Sequence, residues 1–531
     1  MAKPHIKAKI DCWGMTAHRG ASVSTPDMSE WFAAGGSADG DLLPDLKELQ
    51  NRSRDIRRNN GLAHGLVETQ VDYIVGSGIH FCSEPDWLTM SRRDPYFSEA
   101  WAEDWSEQYE ALYHEWFWST ACHAGDTLTG DMLTEQVQYA KADNGGSLTL
   151  ALWLPQRKDG FSTKLQTVEI DRLCNPQYTP ATPRLRGGIA FDEYGAPVGF
   201  HVKRSHPGDS LYMGTGAYYL GAPDDWEYIP RFTKFGRLRV IHDFDSDRAD
   251  MTRGKPLLAA VLSEFKNIDR YVKAEIQAAV LNGMIWGAIT TPLEHDDIVE
   301  LFRGNEKQYM ASRSAHSVKM KGGTLATLFP GDKLESFMPQ RPAGQFGVFV
   351  ENVEKIITVG SGMPHILAKK DFAKSNYSNT RAAMSELYRL VTRKRDRLGA
   401  GWLDKVNALF MEEVVNDGRI VAPRWYEFKR SYLRGTWIGP PRGYVDKEKE
   451  VKGNVLELAA GLNTLKRIAA EQGLHWKDLI RQRARERAYA VAQGLPDDIS
   501  MLAGGGGGTP PAQDEATDPE TGEPLRNGTE D

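Results

Sequence analysis

The chain has 531 residues, 40% hydrophobic and 26% charged, the balance of a globular protein long enough for two or more domains. Its formal net charge of −7 argues against an ordinary nucleic-acid binder, which gains affinity by exchanging phosphate counterions for Lys and Arg. Met1 to Asp11 carries lysines but no apolar run, so no signal peptide is expected.

The longest weakly polar run, Ala278 to Pro292, contains Asn282 and Gly283 and is too short to cross a bilayer. Cys12, Cys82, Cys122 and Cys174 are scattered without metal-knuckle spacing, the pattern of reduced thiols in a protein made in the cytoplasm.

Taken in chain order, residues 1–45 are rich in Gly, Ser, Ala and Asp and read as a loosely ordered arm. From Leu46 the pattern turns helical, with Leu62, Leu66, Val67 and Val71 at helical spacing, until Gly76 and Gly78 break it. Ser98 to Phe117 is a second helix, whose Trp101, Trp105, Tyr109, Tyr113 and Trp116 form a core-facing stripe. Ser147 to Val240 holds short alternating runs bounded by Gly, Pro and Asp, a β-rich zone. Leu258, Val261, Leu262, Phe265, Ile268, Val272, Ile276 and Val280 then predict one long helix. Residues 290–342 read as a small mixed insert, Phe346 to Val359 as a helix, and Gly360 to Pro364 as its stop. A lysine-bearing loop reaches Ser378, and Thr380 to Leu398 is a basic helix. Leu456 to Ala492 is helical, and the Gly504–Gly508 run with its acidic sequel cannot bury a core.

Catalytic and ligand motifs are missing. Gly254-Lys255 has Ala249 where a phosphate loop opens with Gly, and Pro256 where it needs Ser or Thr. Gly76-Ser77-Gly78 and Gly360-Ser361-Gly362 lack the spacing of a nucleophile elbow. His242-Asp243-Phe244-Asp245-Ser246-Asp247 imitates half a calcium loop, but Arg248 and Gly254 stand where Gly and Glu are required. It reads as a solvated acidic turn. Cys122-His123, with His114 near in sequence, reads as core. No catalytic activity, cofactor or metal is expected.

Three segments carry a resemblance. They are Arg58-Asn59-Asn60-Gly61 running into Tyr73-Ile74-Val75-Gly76-Ser77-Gly78; Ile241-His242-x-Phe244 with Thr252-Arg253-Gly254; and Pro330-Gly331-Asp332, Phe349 and Tyr377-Ser378-x-Thr380-Arg381-Ala382. In this order and separation, over roughly residues 50–440, the chain resembles the lambda-like portal proteins of tailed bacteriophages.

The resemblance implies an α+β portal fold of wing, stem, clip and crown, closed into a homo-oligomeric ring of about twelve subunits around a DNA channel. The implied partition is 1–45 arm, 46–250 wing, 251–289 first stem helix, 290–342 clip and 343–362 second stem helix. It continues with 363–378 tunnel loop, 379–450 tunnel helix and return to the wing, 451–503 crown and 504–531 disordered tail. It further implies a place at one capsid vertex of the virion, nucleation of capsid assembly, and packaging and ejection of double-stranded DNA. The implied partners are the terminase large subunit, the major capsid and scaffolding proteins and a head-completion adaptor, with no membrane involved. A mildly acidic total suits a wall past which DNA must slide. The alternatives are a packaging ATPase or nuclease, which the missing phosphate loop disfavours, and a minor capsid or scaffold-like protein without a channel.

Within this reading Lys369, Lys370 and Lys374 project from the tunnel loop as rings of positive charge facing phosphates. Arg381, Arg389, Arg393, Lys394, Arg395 and Arg397 lie all around the next helix among Glu386 and Asp396, unlike a groove reader. They are expected to pair with the acidic surface of a neighbouring subunit, and Arg389 and Arg393, four apart, mark one face.

Overall fold

A computed structural model describes residues 30–31, 33, 35–157, 159–209, 225–284, 288–290, 307–308, 311, 333–335, 346–373, 376–443 and 446–494. The fold is α+β, in two compact units: Met1–Ile74 with Glu115–Arg419, and Val75–His114 with Ile420–Asp531. Most of the expected clip, Pro330-Gly331-Asp332, Lys374 and the 504–531 tail lie outside the described residues.

The first unit begins with a helix at Ala38–Asn59, earlier than the expected end of the arm at residue 45. Ser37 accepts a hydrogen bond from the Gly40 amide at 3.0 Å, and Asp39 and Asp41 occupy the positive first turn. A cap and a charge–dipole match of this kind offset the roughly 1 kcal/mol that a glycine costs inside a helix. Asn60 ends this helix and caps the Gly61–Ile74 helix, accepting from the amides of Leu62 and Ala63 at 3.0 and 3.2 Å. The motif Arg58-Asn59-Asn60-Gly61 is therefore a helix–helix corner.

Two antiparallel sheets follow. The three-stranded sheet places Gly146–Trp153 between Thr163–Val168 and Val240–Phe244. The four-stranded sheet runs Leu185–Arg186, Ile189–Phe191, Pro197–Lys203, Trp226–Pro230, with an irregularity at Ala190/Phe191. Leu148, Val168, Ile170, Leu173, Ile189, Phe200, Val202, Ile229 and Val240 form one buried cluster. Gly145 and Gly254 let two chain segments touch at their backbones, since a Cβ on Gly254 would lie 2.0 Å from the Gly145 carbonyl oxygen.

The long helix spans Leu262–Met284, and a short 3₁₀ turn at Ala259–Val261 takes the place of its expected first turn. Tyr271 stacks on Phe346 at 5.7 Å and meets Phe349 edge-on at 4.8 Å, joining this helix to Phe346–Gly360. Ala288–Thr290 pairs antiparallel with Lys333–Glu335. Tyr377–Leu398 continues through a π turn at Gly399–Leu403 into Asp404–Asn416. Trp402 donates to Thr149 Oγ1 at 3.0 Å, and Trp116 stacks on Phe410 at 4.5 Å, fixing these helices to the sheet.

In the second unit His80–Ser83 pairs antiparallel with Gly435–Ile438. The aromatic stripe of the Glu99–Phe117 helix is core, as expected. Trp105 stacks on Tyr109 at 5.3 Å, and Tyr432 meets Trp101 and Trp105 at 5.8 and 5.0 Å. The expected single helix over 456–492 is three: Lys447–Ala459, Leu465–Glu471 and Trp476–Ala492. Gly461 (φ 69°) and Gly473 (φ 71°) stop the first two in the left-handed conformation that glycine adopts freely.

Candidate channel and ring-interface segment

The candidate residues sit on two helices and the turn between them. At the end of Phe346–Gly360 a Cβ on Gly360 would lie 2.3 Å from Val261, so close packing admits only glycine. Gly362 takes φ 76°, the chain turns, and a short helix forms at His365–Lys369. The expected loop 363–378 is thus partly helical, and the next helix begins at Tyr377 because Asn376 accepts from the Asn379 amide at 2.8 Å.

The three lysines differ. The Lys369 ammonium pairs with Glu354, which reaches across from the preceding helix. Lys370 is exposed and left-handed at φ 54°, capping the short helix. Lys374 lies outside the described residues.

The basic helix divides in the same way. Arg395 donates to the carbonyls of Ile74 (3.0 Å) and Tyr73 (2.6 Å), closing the C-terminal end of the Gly61–Ile74 helix. Lys394 pairs with Asp245, and Arg397 lies 3.7 Å from the same carboxylate. These three cations serve the chain's own packing, which corrects the expectation that the whole set serves a neighbour. Arg389 has 82% of its side chain exposed and meets only the exposed Glu386, at 3.4 Å. Arg393 is exposed and forms no ion pair among the described residues. Arg381 is exposed as well, so Arg381, Arg389 and Arg393 are cations this helix leaves at its surface.

Asp245 belongs to a charge cluster that the sequence reading placed in solvent. Asp243 is 5% exposed in the Val240–Phe244 strand. Lys141, also buried, donates to Asp243 at 2.9 Å and lies 3.2 Å from Asp245. Burial pushes the Asp243 carboxyl up, with Lys141 partly offsetting it. Burial also raises Asp245, but the charges and hydrogen bonds of Lys141 and Lys394 outweigh it and hold the carboxyl at about 2. Gly401 of the π turn passes directly over this site, where a Cβ would lie 2.0 Å from Asp243 Oδ1. The acidic turn is therefore a buried ionic joint between the sheet and the basic helix. Strand alternation could have flagged it, because Asp243 shares a face with buried Ile241.

Among the described residues one His/carboxylate cluster has ligand-like spacing, Glu169, Asp171 and His206. His206 Nδ1 accepts from the Gly208 amide at 3.0 Å, and its Nε2 lies 3.0 Å from Glu169 Oε2. Asp171 is engaged by Arg54 at 2.5 Å.

The buried ionic joint thus ties the three-stranded sheet to the Tyr377–Leu398 helix. The chain belongs to the lambda family of phage portal proteins, whose profile matches residues 24–395. It is 25% identical over 522 residues to Portal protein B of Escherichia phage lambda, covering 93% of this chain and 95% of that protein. It is likewise 25% identical over 497 residues to the portal protein of Escherichia phage N15, covering 90% and 91%. Among solved structures it resembles a chain of the native gene transfer agent particle virion (TM-score 0.43, 15% identity, 83% of this chain and 96% of that one). The motifs at Arg58–Gly61, Ile241–Phe244 and Tyr377–Ala382 all fall inside the matched span. Family membership favours a portal over a minor capsid or scaffold-like protein. The family is one of structural virion proteins. No helix among the described residues is long and apolar enough to cross a membrane.

Proposed function

We propose that copies of this portal protein close into a ring of about twelve around a channel for double-stranded DNA, at one vertex of the capsid. Uncovered apolar side chains on two helices carry the reading. Ile276 and Val280 on one stem helix, and Ile356 and Val359 on the other, are 58, 51, 57 and 76% exposed. A lone chain would leave this apolar surface in water, and a neighbouring copy covers it. The ring nucleates capsid assembly with the major capsid and scaffolding proteins after synthesis in the host cytoplasm. Its clip (290–342) docks the terminase large subunit, and head-completion adaptors bind once packaging ends. Negative-stain images of the purified protein should show rings with a central hole; particles without one refute the channel.

Lys369, Lys370 and Lys374 line the passage in this reading, held weakly enough to guide the phosphates and not grip them. Changing all three to Ala should leave ring assembly intact and shorten packaged DNA or reduce its retention. Lys370→Ala alone should exceed Lys369→Ala, because Glu354 already neutralises Lys369. Normal packaged length and retention in the triple variant rule the role out.

A further inference from the structure

In the first unit a cavity of about 870 Å³ opens beside the start of the Ala38–Asn59 helix, a volume typical of ligand sites. Leu43, Pro44, Leu173, Tyr178 and Pro180 give it apolar walls. Arg253, 4% exposed, is part of the wall. Its guanidinium donates to the carbonyls of Leu173 (2.8 Å), Gly187 (3.1 Å) and Ile170 (3.2 Å) and forms no ion pair among the described residues. Asp171, itself held by Arg54, acts on this guanidinium only at longer range, and a partly apolar chamber whose buried cation lacks a direct carboxylate partner suits an apolar group that has a carboxylate next to it.

The chain carries such a group a few residues from the cavity lining. Ser37 and Asp39 line the cavity rim. Six residues upstream, Trp31 stands 70% exposed, with Glu30 beside it and Asp27 shortly before. A linker of that length spans at most roughly 20 Å, so the indole is tethered within reach of the walls. A solitary exposed Trp is costly to leave in water when an apolar cavity lies this close.

We propose that this cavity is the docking site of the chain's own amino-terminal segment, with Trp31 on the apolar walls and the Glu30 carboxylate facing Arg253. The segment thereby clasps the start of the first helix to the loop around Leu173–Pro183. This proposal is independent of ring formation.

Cys174 lines the cavity and reports its occupancy, since Cys82 and Cys122 are buried. In full-length protein carrying Cys12→Ser, maleimide should label Cys174 slowly. Trp31→Ser should accelerate labelling about tenfold by releasing the segment, and Trp31→Phe should restore protection. Equal rates in all three proteins overturn the proposal. Circular dichroism checks that the exposed-site substitution leaves the fold unchanged. A short bis-maleimide joining Cys174 to a thiol introduced by Ala33→Cys should give a product of single-chain mass. A product of doubled mass overturns own-chain docking and assigns the cavity to a neighbour's segment.

Discussion

Replacing Lys141 by Met should lower the unfolding free energy by about 3–5 kcal/mol, because it leaves the buried carboxylate of Asp243 without its cation. Denaturant titration of the purified protein measures the loss. The pH dependence identifies its cause. With its pKa raised in the folded state, Asp243 opposes folding increasingly as pH rises above the unfolded value near ~3.9. In the variant only the longer-range charge of Lys405 offsets that rise, so its deficit should shrink as pH is lowered from neutrality towards ~4.5. A deficit independent of pH would assign the loss to packing alone. In the unaltered protein Asp245 acts with the opposite sign. Its folded pKa of about 2 contributes stability that is complete above ~4 and is lost as pH falls through the folded value.

Reversing Arg389 and Arg393 together to Glu should block ring closure and yield monomers or open oligomers by light scattering. Both are exposed on one helix face, and neither is tied to a buried partner, so the monomer's stability should hardly change. Across a head-to-tail interface the reversal turns attraction into repulsion, which costs several kcal/mol and recurs at every junction. High salt should partly rescue assembly by screening. Lys394→Glu should behave differently and destabilise the monomer, because it attacks the Asp245 joint. Closed rings of normal stability that fail only in moving DNA would place Arg389 and Arg393 on the channel wall.

Much of the helical framework was legible because its signals are local. The stripe from Trp101 to Trp116, the helix from Phe346 and the stop at Gly360 all follow from spacing and glycine position. Errors arose where a local signal met a longer-range one. Gly40 falls within the expected 1–45 arm, yet Ser37 caps a helix through it. Gly461 and Gly473 were absorbed into a helical pattern that they in fact cut. For the candidate residues, spacing put Arg389 and Arg393 on one helix face but could not show that Lys369 folds back on Glu354 across the Gly360–Pro364 turn. The joint at Asp243 and Asp245 was misread because its cations, Lys141 and Lys394, lie far away in sequence.

That separation has a consequence for how the chain is made. Lys141 leaves the ribosome before Asp245, but Lys394 follows Asp245 by 149 residues. At roughly 5–20 residues per second the interval is on the order of 10–30 seconds. Throughout it the sheet holds two neighbouring carboxylates against a single ammonium. Arrival of the Tyr377–Leu398 helix supplies the second cation, and Gly401 and Trp402 then close over the strand. A polypeptide interrupted before this point lacks Lys394, Gly401 and Trp402, and with them both the second cation and the cover over the strand.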